Sequence, residues 1–144
     1  VGERCVLMGL IQGAFQAQYK ILRKHGHSPS EAYNETVEEA LVSLYPLIEN
    51  KGMDWMYENC STTAQRGALD WAPKFEKCIT HLIEECYLEV KNGNEAQKVI
   101  NSNSDADYRN KLNHELKEIK EQELWQVANK IRNLRVTYPK RRIN

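Results

Sequence analysis

The chain has 144 residues, enough for one domain with a real core, since a chain of this size can hide about 68–70% of its unfolded surface. Its 20 basic and 20 acidic residues cancel to a formal net charge of zero, so nothing in the overall balance argues for nucleic acid or an acidic membrane surface as partner, and neither is expected. No apolar run approaches the roughly 20 residues that cross a bilayer, and no charged leader precedes a hydrophobic stretch.

The first segment, residues 2–24, carries Val6, Leu7, Leu10, Ile11, Ala14, Phe15, Ile21 and Leu22 at helical spacing, and Gly26 closes it. Gly9 and Gly13 sit inside this helix, four apart, where each costs up to about 1 kcal/mol against Ala, so they are expected to admit the backbone of another element. Next comes "SPSE", Ser28 to Glu31: an N-cap Ser, Pro at the first helical position and Glu three residues after the cap form a capping box. The helix it starts is predicted to run through Val37, Ala40, Leu41 and Leu44 to about Asn50, kinked at Pro46 and stopped at Gly52.

Residues 53–67 read as a short helix, a polar break at Ser61 to Thr63 whose hydroxyls can cap, and another short helical piece. From Trp71 the positions Phe75, Cys78, Ile79, Leu82, Ile83, Cys86, Tyr87 and Val90 keep the helical period up to Asn92 and Gly93, the clearest core-helix pattern in the chain. Residues 94–103 are polar, with one or two helical turns expected. A long helix is predicted from about Asp105, with Leu112, Leu116 and Ile119 on one stripe, and a last one carries Leu124, Trp125, Val127, Ile131 and Leu134. No run of alternating β-branched residues occurs, so the expected class is all-α. Residues 136–144 form a basic tail around Lys140, Arg141 and Arg142, read as solubilising. The chain opens on Val1 rather than Met, which fits a processed or partial polypeptide. Cys5, Cys60, Cys78 and Cys86 form neither a CxxC pair nor a zinc spacing, so buried, reduced thiols of an intracellular protein are expected.

Chemistry concentrates in "ETVEE", Glu35 to Glu39. Glu35 and Glu39 lie one turn apart on one face and repel by roughly 0.2–0.5 kcal/mol, so they need either open water or a cation between them. That geometry suits two oxygen ligands of one Mg²⁺ ion, although periodicity alone favours a solvated acidic face, with Glu38 as an outward carboxylate. Glu3 opens the first helix, where the dipole welcomes a carboxylate; its functional alternative is a third metal ligand. Ser61 reads as a helix cap. His25, His27, His81 and His114 are scattered, and no nucleophile and base pair or Gly-rich phosphate loop is recognisable.

The ordered string "GERCVLMGLIQGAFQAQYKILRKHGHSPSEAYNETVEEALVSLYPLIENKGMDWMYENCSTTAQRGALDW", together with "ELWQVANKIRNLR" near the end, resembles the C-terminal helical domain of short-form ketol-acid reductoisomerases, also called acetohydroxy-acid isomeroreductases. The likeness is nearest to fungal mitochondrial and related bacterial enzymes and spans residues 2–135. It implies an intertwined, knotted dimer and two Mg²⁺ ions per site, which drive alkyl migration in 2-acetolactate or 2-aceto-2-hydroxybutyrate. NADPH then reduces the ketone, in branched-chain amino-acid synthesis. By the same resemblance, Glu3 binds one Mg²⁺, Glu35 and Glu39 from the partner subunit bind the second, and Ser61 binds substrate.

Two departures from the family pattern follow. An Asp that bridges both metals is expected four residues before the Glu3 position, outside this chain. The NADPH-binding Rossmann domain is absent from it as well, so this chain alone is expected to be inactive. A smaller departure is Ala128, where relatives commonly have Gly in the closing helix, and it puts nothing catalytic in doubt. The rival expectation is a stand-alone helical domain without catalysis, serving as a structural or interaction subunit of a larger assembly. A mitochondrial matrix location, or a cytoplasmic one outside eukaryotes, follows from the resemblance alone.

Overall fold

The computed structural model describes residues 1–134, and every regular element among them is helical. The first helix has two parts: π1 (Glu3–Leu10), whose backbone hydrogen bonds take the wider π register, and α1 (Ile11–Lys24), which ends at Gly26 with φ of +92°. After a short turn the chain follows α2 (Pro29–Tyr33), π2 (Asn34–Glu38), π3 (Ala40–Leu44) and α3 (Tyr45–Lys51), one almost continuous helical path. The capping box forms as expected: Glu31 N–H donates to Ser28 Oγ at 3.3 Å, and Ser28 N–H donates to Glu31 Oε2 at 2.7 Å. Gly52, with φ of +103°, stops this path where a residue bearing Cβ would be strained. Pro46 lies in the first turn of α3, so its missing N–H falls where the helix register changes.

The remaining elements are α4 (Met53–Glu58), α5 (Thr62–Lys91), α6 (Asn94–Ser104), α7 (Tyr108–Glu121) and α8 (Glu123–Leu134). Two sequence expectations change here. The short piece ending at Gly67 and the helix from Trp71 are one 30-residue helix that carries Gly67 and Pro73 in its interior. Residues 94–103 form a full 11-residue helix, and the next helix starts at Tyr108 rather than Asp105.

The core sits where α1, α2 and π2 meet α8. It is built from Phe15 and Tyr19, Ala32 and Tyr33, Val37, and Leu124, Val127 and Ala128. Ala32 and Ala128 are both fully buried at the packing of α2 on α8, where small side chains let the two backbones approach. On one edge of this core the Tyr19 hydroxyl donates to Glu123 Oε2 at 2.9 Å, and Arg23 clamps the same carboxylate from Nε at 2.9 Å and from Nη2 at 3.2 Å.

The pattern read as the clearest core helix is not buried within this chain. None of α5 is buried, and Trp71, Phe75 and Leu82, which fall on one stripe, are 55%, 63% and 53% exposed. Periodicity reports that a helix has an apolar face but not what covers it. The total accessible surface, 11525 Å², is about half as large again as the roughly 7,700 Å² typical of a compact monomer of this mass. The cysteines differ from expectation in the same sense: all four are free thiols, but Cys78 is exposed and the other three only half-buried. Burial and a hydrogen bond with Cys86 push the Cys5 thiol up. Among the described residues no helix is long and apolar enough to cross a membrane. The basic cluster Lys140, Arg141 and Arg142 lies outside the described residues.

Candidate metal and substrate site

The candidate carboxylates share an uncommon backbone. Glu3 is the first residue of π1, Glu35 lies in π2, and Glu39 is the residue between π2 and π3. In a π register each N–H reaches back five residues instead of four, which widens the turn. Such insertions are rare and concentrate at functional sites. Glu35 and Glu39 remain neighbours along this widened turn, and both are exposed, as is Glu3. The wide turn is anchored from α1, where Gln18 donates from Nε2 to the Glu35 carbonyl oxygen at 2.8 Å. Between the two carboxylates the chain turns inward, with Thr36 and Val37 buried at 3% and 1% exposure. The sequence took Glu38 for an outward carboxylate, but it is half-buried.

Gly9 is tight for a reason other than the one expected. A Cβ there would come 2.7 Å from the Arg4 carbonyl oxygen, five residues back in the same π turn, so Gly9 serves the register of π1 rather than a neighbouring element. Gly13 has open space around its Cβ position, and both glycines line an apolar groove of about 300 Å³ with Ile79, Leu82 and Ile83 of α5.

Ser61 caps α5. Its Oγ accepts from Ala64 N–H at 3.2 Å, and the Ser61 carbonyl oxygen accepts from Gln65 N–H at 2.9 Å. The cap engages a lone pair of Oγ and leaves the hydroxyl proton to be donated outward from an exposed position. Within one chain no group of three or more His, Cys, Asp or Glu that could hold a metal occurs among the described residues. One subunit therefore supplies parts of a carboxylate site, a pair at residues 35 and 39 and a single group at residue 3, without gathering them. An exposed pair of hard oxygen donors fits a divalent cation such as Mg²⁺, which keeps several waters and takes one or two carboxylates from any one element.

The described residues form an all-helical domain with exposed carboxylates on π-distorted turns and an apolar helix face left open, and comparison with known proteins identifies its family. The family model for the C-terminal domain of ketol-acid reductoisomerase matches residues 1–137. The chain belongs to that family. It is 56% identical over 134 residues to the ketol-acid reductoisomerase (NAD(+)) of Desulfosudis oleivorans, covering 93% of this chain and 38% of that protein. It is 54% identical over 134 residues to the mitochondrial ketol-acid reductoisomerase of Neurospora crassa, covering 93% of this chain and 33% of that protein. A solved NADH-preferring ketol-acid reductoisomerase from an uncultured archean superposes with a TM-score of 0.81 at 25% identity, covering 94% of this chain and 40% of that one. The chain thus spans about a third of the length of the curated relatives it matches.

Proposed function

We propose that this chain is the metal- and substrate-binding part of a ketol-acid reductoisomerase that converts 2-acetolactate or 2-aceto-2-hydroxybutyrate to a dihydroxy acid in branched-chain amino-acid biosynthesis. The observation that carries the reading is the placement of Glu3, Glu35 and Glu39 in or beside the π-helical stretches. Ordinary solvated carboxylates on an amphipathic helix have no need of that backbone, and the rearranged turn resets where each side chain leaves the helix axis. In this reading Glu3 of one subunit and Glu35 and Glu39 of its partner would hold Mg²⁺, which when bound would supply Lewis acidity toward the substrate's oxygens. The carboxylates' own part is to fix the geometry and to hold opposing charge at a site where alkoxide character develops. Ser61 donates its hydroxyl proton to a substrate oxygen while its lone pair remains bound to Ala64 N–H.

The nicotinamide, NADPH by resemblance, is bound by a part of the protein outside this chain. Relatives named for NAD(+) and for NADP(+) are both among the matches, so the family supports a nicotinamide in general. Three fungal relatives carry mitochondrial names, which favours the same compartment if this protein is eukaryotic.

The test uses the full-length polypeptide. Glu35→Gln combined with Glu39→Gln is expected to abolish turnover and to weaken Mg²⁺ binding in calorimetry by more than the roughly 10–100-fold that loss of a supporting contact alone gives. Unchanged Mg²⁺ affinity in that double variant would sink the reading.

A further inference from the structure

The stretch that presents Ser61 is three non-helical residues between α4 and α5, exposed Asn59, half-buried Cys60 and exposed Ser61, and a hydroxyl meant to meet a substrate needs a fixed backbone. One side chain reaches that backbone from both sides. Gln65 Nε2 donates to the Tyr57 carbonyl oxygen at 2.8 Å and to the Cys60 carbonyl oxygen at 3.1 Å, using both amide hydrogens. The Gln65 backbone N–H donates to the Ser61 carbonyl oxygen at 2.9 Å. Gln65 is therefore bonded to the last turn of α4, to the residue before Ser61 and to Ser61 itself. It also lines an open groove of about 450 Å³ with Met53, Tyr57 and Leu69, on the flank of the same turn.

We propose that Gln65 is a positioning residue for substrate binding: its carboxamide locks the Tyr57 to Ser61 turn so that the Ser61 hydroxyl is aimed before substrate arrives. This rests on the reading of Ser61 as a substrate contact. The chemistry asked of Gln65 is only that of a double donor to two carbonyls that would otherwise turn to water. Its length lets that donor reach the carbonyl of Cys60, the residue before Ser61, and a displacement of about 1 Å in a substrate-positioning group can lower rate by as much as 100-fold.

The experiment compares Gln65→Met, which keeps the length and removes the donor, with Gln65→Arg, which keeps donors, in the full-length enzyme. Gln65→Met is expected to raise KM for the acetohydroxy acid between about 10- and 100-fold while KM for the nicotinamide stays unchanged. Gln65→Arg is expected to restore most of the loss. A purely structural role would lower the amount of active enzyme and move neither KM, and that result, or an arginine variant no better than the methionine one, overturns the proposal. Hydrogen exchange reads positioning apart from catalysis: the Cys60, Ala64 and Gln65 amides, all hydrogen-bonded in this turn, are expected to exchange at least tenfold faster in Gln65→Met. Unchanged exchange overturns the proposal whatever Ser61 does. If Ser61→Ala leaves the substrate KM untouched, the substrate role of Ser61 falls, and the exchange result still decides the turn.

Discussion

Tyr19 and Glu123 are joined by a 2.9 Å hydrogen bond that closes the first helix onto the last, and Arg23 completes the group from the other side of the carboxylate. Burial first, and then the bond to Glu123, push the Tyr19 hydroxyl up to about 12. Glu123 is held below the usual carboxylate range, first by its hydrogen bond from Arg23 and then by that from Tyr19. The signs follow from linkage. The Tyr19 contribution is fully present below the unfolded value of about 10 and is lost as pH rises toward 12. The Glu123 contribution is present above about 4.3 and is lost as pH falls through its depressed folded value. Chemical denaturation against pH should therefore show a plateau between these limits. Tyr19→Phe should lower that plateau by about 1 kcal/mol and remove its own share of the alkaline limb. An alkaline limb identical in wild type and Tyr19→Phe would refute the assignment.

Thr36 offers a test with the opposite sign. Its side chain is 3% exposed, and its hydroxyl oxygen has no hydrogen-bond partner among the described residues. A buried hydroxyl left without a partner costs about 1–3 kcal/mol, so Thr36→Val is expected to raise stability by about 1 kcal/mol in urea denaturation. Because Thr36 points into the core between Glu35 and Glu39, the change should leave Mg²⁺ affinity as it was. A stability loss would show that the hydroxyl is satisfied by water.

Gly9 and Gly13 look alike in the sequence and are expected to behave differently. A methyl at Gly9 meets the Arg4 carbonyl oxygen at 2.7 Å, a backbone atom that cannot rotate away. Gly9→Ala should therefore cost about 1–3 kcal/mol and, by pressing π1 toward the α register, weaken Mg²⁺ binding at Glu3 as well. Gly13→Ala meets nothing within 4 Å in this chain and should stabilise the helix by up to about 1 kcal/mol. Destabilisation at Gly13 would instead mark a neighbouring backbone seated in the groove. Thermal and calorimetric titration of the two variants side by side distinguishes these outcomes.

What could be read from the residues was punctuation and period. The Ser28, Pro29 and Glu31 box, the Ser61 cap and the stops at Gly26, Gly52 and Gly93 appear where side-chain chemistry requires them. The π register was not legible, because Glu3–Leu10 and Asn34–Glu38 use ordinary helix residues and their spacing alone does not separate a turn closed at four residues from one closed at five. Only Gly9 left a trace, and it reads equally well as a packing glycine. The continuity of α5 was hidden by Gly67 and Pro73, which normally break helices but here lie inside one. For the site, the residue types of Glu35 and Glu39 suggested a cation, yet choosing that over a solvated face needed the family resemblance. Gln65 went unnoticed because its bonds are to backbone carbonyls four or more residues away, and no residue pattern announces them.

The uncovered stripe of α5 gives the last test. Trp71, Phe75 and Leu82 stand more than half exposed on a helix that keeps a core-like period, and a face of that kind is expected to meet another surface. By the proposed function that surface is a second copy, so the full-length protein should sediment as a dimer or a multiple of one. Phe75→Glu places a carboxylate in the covered face, where an unpaired charge is strongly unfavourable, and should shift the protein toward monomer. Because Glu35 and Glu39 are proposed to act across the boundary, turnover should fall in parallel with the dimer fraction and recover at high protein concentration. If another domain of the same polypeptide covers the stripe, the variant will instead lower thermal stability at any concentration without changing sedimentation. A fully dimeric, fully active Phe75→Glu enzyme would show that this face looks onto water.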